Sequence, residues 1–205
     1  MSVTRERFEQ GMTYEAYKAQ MTRNRDRLED NERAVTLRPE DTQFFAQLAE
    51  PLNVLVLVED WCGDVINNVP VVVKLAEATG KLKLRFFLRD QNLDLMDQYL
   101  NRGTFRSIPT VVFFDQDFRE LGHWIERPAI ITELREQMLS ELYATAPELA
   151  GVARAASPAQ LSEAARTRLM QANADFRAQT RERANQEVVR EMRDIVSRAL
   201  APAAS

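Results

Sequence analysis

The stretch VLVLVEDWCGDVINNVP, Val54 to Pro70, decides how the chain is read. Val54 to Val58 is a continuous apolar run rich in β-branched valine, the mark of a strand buried on both faces. From Val65 to Ala78 the apolar residues return at helical spacing, and Gly80 supplies the stop. The change of period falls on EDWCGD, which holds three carboxylates, a tryptophan and Cys62, the only cysteine of the 205 residues. Everything further along the chain bears on whether that thiol reacts or packs.

Composition narrows the classes. A chain with 45% hydrophobic and 28% charged residues is long enough for one filled core and a small appendage. It contains no apolar run long enough to span a bilayer, and its first residues lack the apolar core of a secretory signal, so no membrane partner is expected. One cysteine forms no internal disulfide, which fits a reducing, cytoplasmic location. One histidine and one cysteine do not make a common zinc site, so no metal is expected. The net charge of -4 argues against a nucleic-acid partner.

Outward from the opening stretch, the pattern reads strand, helix, strand, helix, strand, strand, helix. Leu82–Leu88 is expected to be a second buried strand, Leu93–Leu100 a short helix, and Thr110–Phe114 and Glu120–Ile125 a hairpin. A helix opens at Pro128 and runs to about Tyr143. Upstream, residues 1 to about 31 carry apolar residues at helical intervals, an expected N-terminal arm, and Pro39 starts another helix. Downstream, Ser157, Pro158 and Gln160 form a capping-box start, and apolar residues from Leu161 to Ala199 follow helical spacing around the polar stretch RAQTRERANQE. Such a helix covers domain surface or pairs with a second copy. The expectation is an α/β fold: a mixed sheet of about four strands flanked by helices, with N-terminal and long C-terminal helical extensions. By sequence order this divides into residues 1–50, 51–146 and 147–205.

An apolar strand ending in paired acids also opens response-regulator receiver domains, with Asp90 in the place of the phosphorylated aspartate. A receiver needs a later lysine, and none follows Lys83. The chain instead resembles the thioredoxin superfamily. WCGDV is similar to the WCGPC turn of that family, Pro70 falls where its first long helix carries a proline, and RSIPTVVFF is similar to the segment with the cis-proline, here Pro109 after Ile108. Single-cysteine members with extra helices occur in bacteria, and this chain looks most like those. The resemblance implies a substrate groove formed by Trp61, Gly63, Asp64, Ile108 and Pro109 beside a catalytic Cys62. A strand-to-helix junction sets the thiol over unpaired amides and the positive end of the helix dipole, which favour thiolate.

The departures limit what the resemblance implies. Val65 stands where a dithiol member has its resolving cysteine, and Val56 where it has a buried aspartate. Glu59 and Asp60 are expected to act with Asp64 as electrostatic modulators. The helix terminus favours thiolate by about 0.3–1 kcal/mol. A carboxylate at about 8 Å opposes it by about 0.5 kcal/mol in water, or about 2 at an effective dielectric near 20. Three acids therefore cancel the dipole, and Cys62 is expected to be less acidic than a dithiol thioredoxin's thiol.

Two functions follow from these readings. The first is thiol–disulfide exchange through one cysteine, with a disulfide-containing or glutathionylated protein or a small thiol as partner. It needs no bound cofactor; glutathione or another low-molecular-weight thiol would act as resolver. The second is a redox-inactive binding or scaffold module that uses the Pro109 groove and the C-terminal helix, which also offers a homodimer contact. His123 and the pair Arg89–Asp90 are expected to be structural, the pair fixing the loop after its strand.

Overall fold

The computed structural model describes residues 3–201. Four strands form one sheet, β1 (Leu52–Val58), β2 (Leu82–Leu88), β3 (Thr110–Phe114) and β4 (Glu120–Ile125), in the order β2-β1-β3-β4. β1 and β2 run parallel, while β3 is antiparallel to both β1 and β4. β1 has a strand on each side and is buried at every position. β2 departs from the expected two-sided burial: it is an edge strand, and Lys83 faces water. Its edge is covered by main chain from the N-terminal region, where Met12 and Phe86 exchange two backbone hydrogen bonds of 2.9 Å.

The N-terminal region is helical, as expected, and that contact ties it to the sheet. It consists of three short helices, α1 (Arg5–Glu9), α2 (Tyr14–Gln20) and α3 (Arg25–Ala34). Thr4 and Thr13 cap the first two by accepting from backbone amides. Phe8, Tyr17 and Leu28 are fully buried, and Tyr17 stacks on Phe86 with ring centroids 5.6 Å apart. Gly11, between α1 and α2, has no room for a side chain, since an added Cβ would lie 2.5 Å from the Phe87 ring and 2.7 Å from Cβ of Arg85. Gly11→Ala is therefore expected to cost about 1–3 kcal/mol of unfolding free energy in a urea titration, through overpacking against β2.

After α4 (Pro39–Ala46) and β1, the helix α5 (Gly63–Thr79) begins directly at Cys62 and ends at Gly80 with φ 63°. Beyond β2, α6 (Leu93–Met96) is shorter than its periodicity predicted; Tyr99 lies past its end yet is buried. α7 (Ala129–Thr145) follows the hairpin, and α8 (Glu163–Leu200) is 38 residues long. The expected capping box at Ser157 closes only a short turn, in which the Ser157 amide donates to Gln160 Oε1 at 2.7 Å. The long helix starts later, where the Ser162 hydroxyl accepts from the Ala165 amide at 3.1 Å. The stretch 202–205, part of the alanine-rich tail, lies outside the described residues.

By packing, the chain forms two units. The first runs to Arg127 and resumes at Asn185; the second is Pro128–Ala184. In the first, Val188, Val189, Met192 and Val196 are buried in the same core as the sheet, Trp124 Nε1 donates to Glu191 at 2.7 Å, and Gly122 faces Ile195. In the second, α7 and the first half of α8 share a small core of Leu142, Ala146, Leu149, Ala165 and Ala172. Among the described residues no helix is long and apolar enough to cross a membrane.

Candidate functional site

The carboxyl end of β1 and the amino end of α5 meet at Cys62, so the sequence order strand–acid–tryptophan–cysteine–helix fixes where the thiol sits. Cys62 is half-buried, and its Sγ donates to the Ile108 carbonyl at 3.4 Å. The Ile108–Pro109 peptide bond is cis. Trp61 stands beside the thiol in sequence and is 43% exposed. Its ring carries the Arg89 guanidinium, 4.8 Å from the ring centroid, and Arg89 Nη1 donates to the Arg106 carbonyl at 3.1 Å. Arg89 thus ties the tryptophan to the segment leading into Ile108, besides bonding Asp90 at 2.8 Å. Phe105 in that segment is 60% exposed.

The acids divide into two groups. Glu59 is buried, and its Oε1 accepts from the Asp90 amide at 2.8 Å. Burial raises its pKa and that amide opposes the rise. Asp60 turns toward the N-terminal helices, where its Oδ2 accepts from the Thr22 amide at 2.7 Å and the Arg23 amide at 3.0 Å. Asp64 lies in the first turn of α5 and meets Arg127, with Nη2 2.5 Å from Oδ2 and Nε 3.3 Å from Oδ1. Arg127 Nη2 also reaches Glu126 Oε1 at 2.5 Å. Glu126 has a left-handed backbone, φ 69°, rare for a residue with a side chain. Its amide donates to the Pro109 carbonyl at 2.7 Å, its carbonyl accepts from Asn68 on α5 at 2.9 Å, and its Oε2 accepts from Asn101 at 3.1 Å.

These neighbours decide the acidity of the thiol. Burial is the largest influence and pushes the Cys62 pKa above its ordinary value. The Val65 and Asp64 amides pull it down, as a helix amino end should, while the charges of Asp64 and Glu126 push it up. The expected direction therefore agrees with the structure, but the leading cause is burial rather than a ring of three acids. Sequence reading named Asp64 and missed Glu126, Arg127 and Asn68. A signal for Glu126 was present: if β3 and β4 pair as a hairpin, the residue after Ile125 falls opposite the one before Thr110, which is Pro109.

His123 pairs with Glu120 through Nδ1 at 3.0 Å and sits edge-on to Tyr99, a packing role away from Cys62. Among the described residues no group of three or more His, Cys, Asp or Glu side chains is arranged to hold a metal.

Comparison with known proteins bears on the fold. A crystal structure of a protein of unknown function from Pseudomonas aeruginosa is similar with a TM-score of 0.67 and 16% identity, covering 97% of this chain and 99% of that one. An HIV epitope-scaffold is similar with a TM-score of 0.61 and 14% identity, over 93% of this chain and 94% of that one. A Fasciola hepatica thioredoxin matches at 28% identity over 44% of this chain and 80% of its own, with a TM-score of 0.31. No curated protein matches the chain. The family model described as Thioredoxin matches residues 11–139, a span of more than half the chain that takes in all four strands, the Cys62 turn and the Ile108–Pro109 bond; the chain belongs to the thioredoxin family.

Proposed function

We propose that the protein carries out thiol–disulfide exchange through Cys62 alone. The observation that carries this reading is the position of the sulfur: on a half-buried residue at the amino end of α5, 3.4 Å from a main-chain carbonyl, with an exposed tryptophan next to it in sequence. In the first step the Cys62 thiolate attacks one sulfur of a disulfide, a bond forms between the two sulfurs, and the other sulfur leaves as a thiolate that takes up a proton from water. Because Val65 replaces a second cysteine, an external thiol such as glutathione must attack the mixed disulfide, leaving with the captured sulfur in a new disulfide and returning Cys62 to the thiol. The partner is a disulfide-containing or glutathionylated protein, and the main chain at Ile108 offers it strand-like hydrogen bonding. A single cysteine of this kind suits a reducing compartment such as the cytoplasm.

A second reading rests on the upward push on the thiol from burial, Asp64 and Glu126. On that reading the fold is kept as a binding module and Cys62 packs. Exchange with a glutathionylated peptide separates the two: the wild type is expected to react and Cys62→Ser to remain at background, whereas equal rates would leave only the binding module.

A further inference from the structure

The contacts around Cys62 form a closed circuit that sequence order does not reveal. From the sulfur it passes to the Ile108 carbonyl, across the adjoining Pro109 to the Glu126 amide, through the Glu126 carboxylate to Arg127, from the guanidinium to Asp64, and back along two residues at the start of α5 to Cys62. Arg127 is the hub. Its side chain is only 16% exposed and contacts both carboxylates at 2.5 Å, and a buried guanidinium in that position is always charged. Burial works against that charge, but the two carboxylates more than offset it and raise the Arg127 pKa further.

We propose that Arg127 is a positioning residue for Cys62: it pins the Asp64 and Glu126 carboxylates and balances one of their two charges, so that a negative sulfur can form beside them. Asp64 and Glu126 carry two negative charges and Arg127 one positive charge, which leaves the cluster at one negative charge. Without the arginine, the thiolate would form next to two unbalanced carboxylates. The other titratable groups near this end of the sheet do not take its place. Glu59 and Asp60 are acids engaged by backbone amides, and Tyr17 of α2 is neutral, its pKa raised chiefly by burial and further by Asp60 and Glu59. Arg89 is held on Trp61 and Asp90.

This proposal builds on exchange through Cys62, but its test uses none. The rate of Cys62 alkylation by iodoacetamide is followed against pH in the native protein, with no disulfide present, so failure of exchange and failure of this proposal are separate results. Arg127→Gln is expected to move the alkylation midpoint up by about one pH unit, the scale of losing a close opposite charge. Arg127→Lys, which keeps the charge, should fall between Arg127→Gln and the wild type. An unchanged midpoint in a folded Arg127→Gln protein would reduce the arginine to packing and overturn the proposal. Should Arg127→Gln not fold, Asp64→Asn decides: with one carboxylate gone the midpoint is expected to drop by about half a unit or more, and a midpoint that stays put overturns the proposal equally.

Discussion

Between pH 6 and pH 8 the first step of exchange by the wild-type protein should accelerate about a hundredfold, roughly tenfold per pH unit, because only the thiolate attacks and its fraction grows tenfold per unit below the pKa. The reason lies in the site. Burial, Asp64 and Glu126 raise the Cys62 pKa, so thiolate is scarce through this whole range and no plateau is reached. Scarcity is partly offset. For each unit that a thiol's pKa rises, its thiolate is about threefold more nucleophilic, against a tenfold loss in the amount present near neutrality, so the net penalty is about threefold per unit. The enzyme reading therefore predicts a slow reagent that quickens with pH. The measurement is consumption of a glutathionylated peptide mixed with excess reduced protein and no other thiol. Cys62→Ser should stay at background at every pH. A wild-type rate that levels off below pH 8 would mean that the amides of α5 outweigh burial and the carboxylates, contrary to the site's electrostatics.

How far the sequence leads can be argued from the same residues. The valine-rich run at Val54 announces a central strand because nothing polar interrupts it, and the structure buries every position of β1. Position in the sheet is less visible. Leu82–Leu88 looks alike in one dimension, but an edge strand needs its second face only in part, which is why Lys83 and Arg85 are tolerated there. The N-terminal residues have helical spacing without showing where it breaks. Gly11 marks the break, and its meaning depends on Phe87 and Arg85, some seventy residues away in the chain. Cys62 and Asp64 lie two residues apart, so one short motif carries both. Arg127 lies sixty-three residues from its Asp64 partner, after the last strand and before a proline, where sequence alone reads a loop. Electrostatic partners of a reactive group come from whichever segment the topology delivers. The segment after β4 is delivered here by pairing with β3, whose first residue follows Pro109.

Met192→Ala should lower the unfolding free energy of the protein by about 2–5 kcal/mol, the range for deleting a large apolar side chain from a filled core. Met192 is fully buried and shares the core of the sheet with Val188, Val189 and Val196. Their spacing of three and four places them on one helical stripe. The end of α8 is therefore part of the sheet's own unit. Surface helices often lose little on truncation of one side chain, because the neighbours stay wet. Here the neighbours are dry, and Glu191 on the preceding position accepts a 2.7 Å hydrogen bond from Trp124 on β4. Any cavity at Met192 thus sits beside a polar contact that holds the helix at fixed distance and resists collapse, which argues for the upper half of the range. Urea unfolding monitored by tryptophan fluorescence measures it, since Trp124 reports on this contact directly. A loss below about 1 kcal/mol would show that the helix end contributes little to the core. The long C-terminal helix would then have to be explained by association with a second copy, and stability should in that case vary with protein concentration.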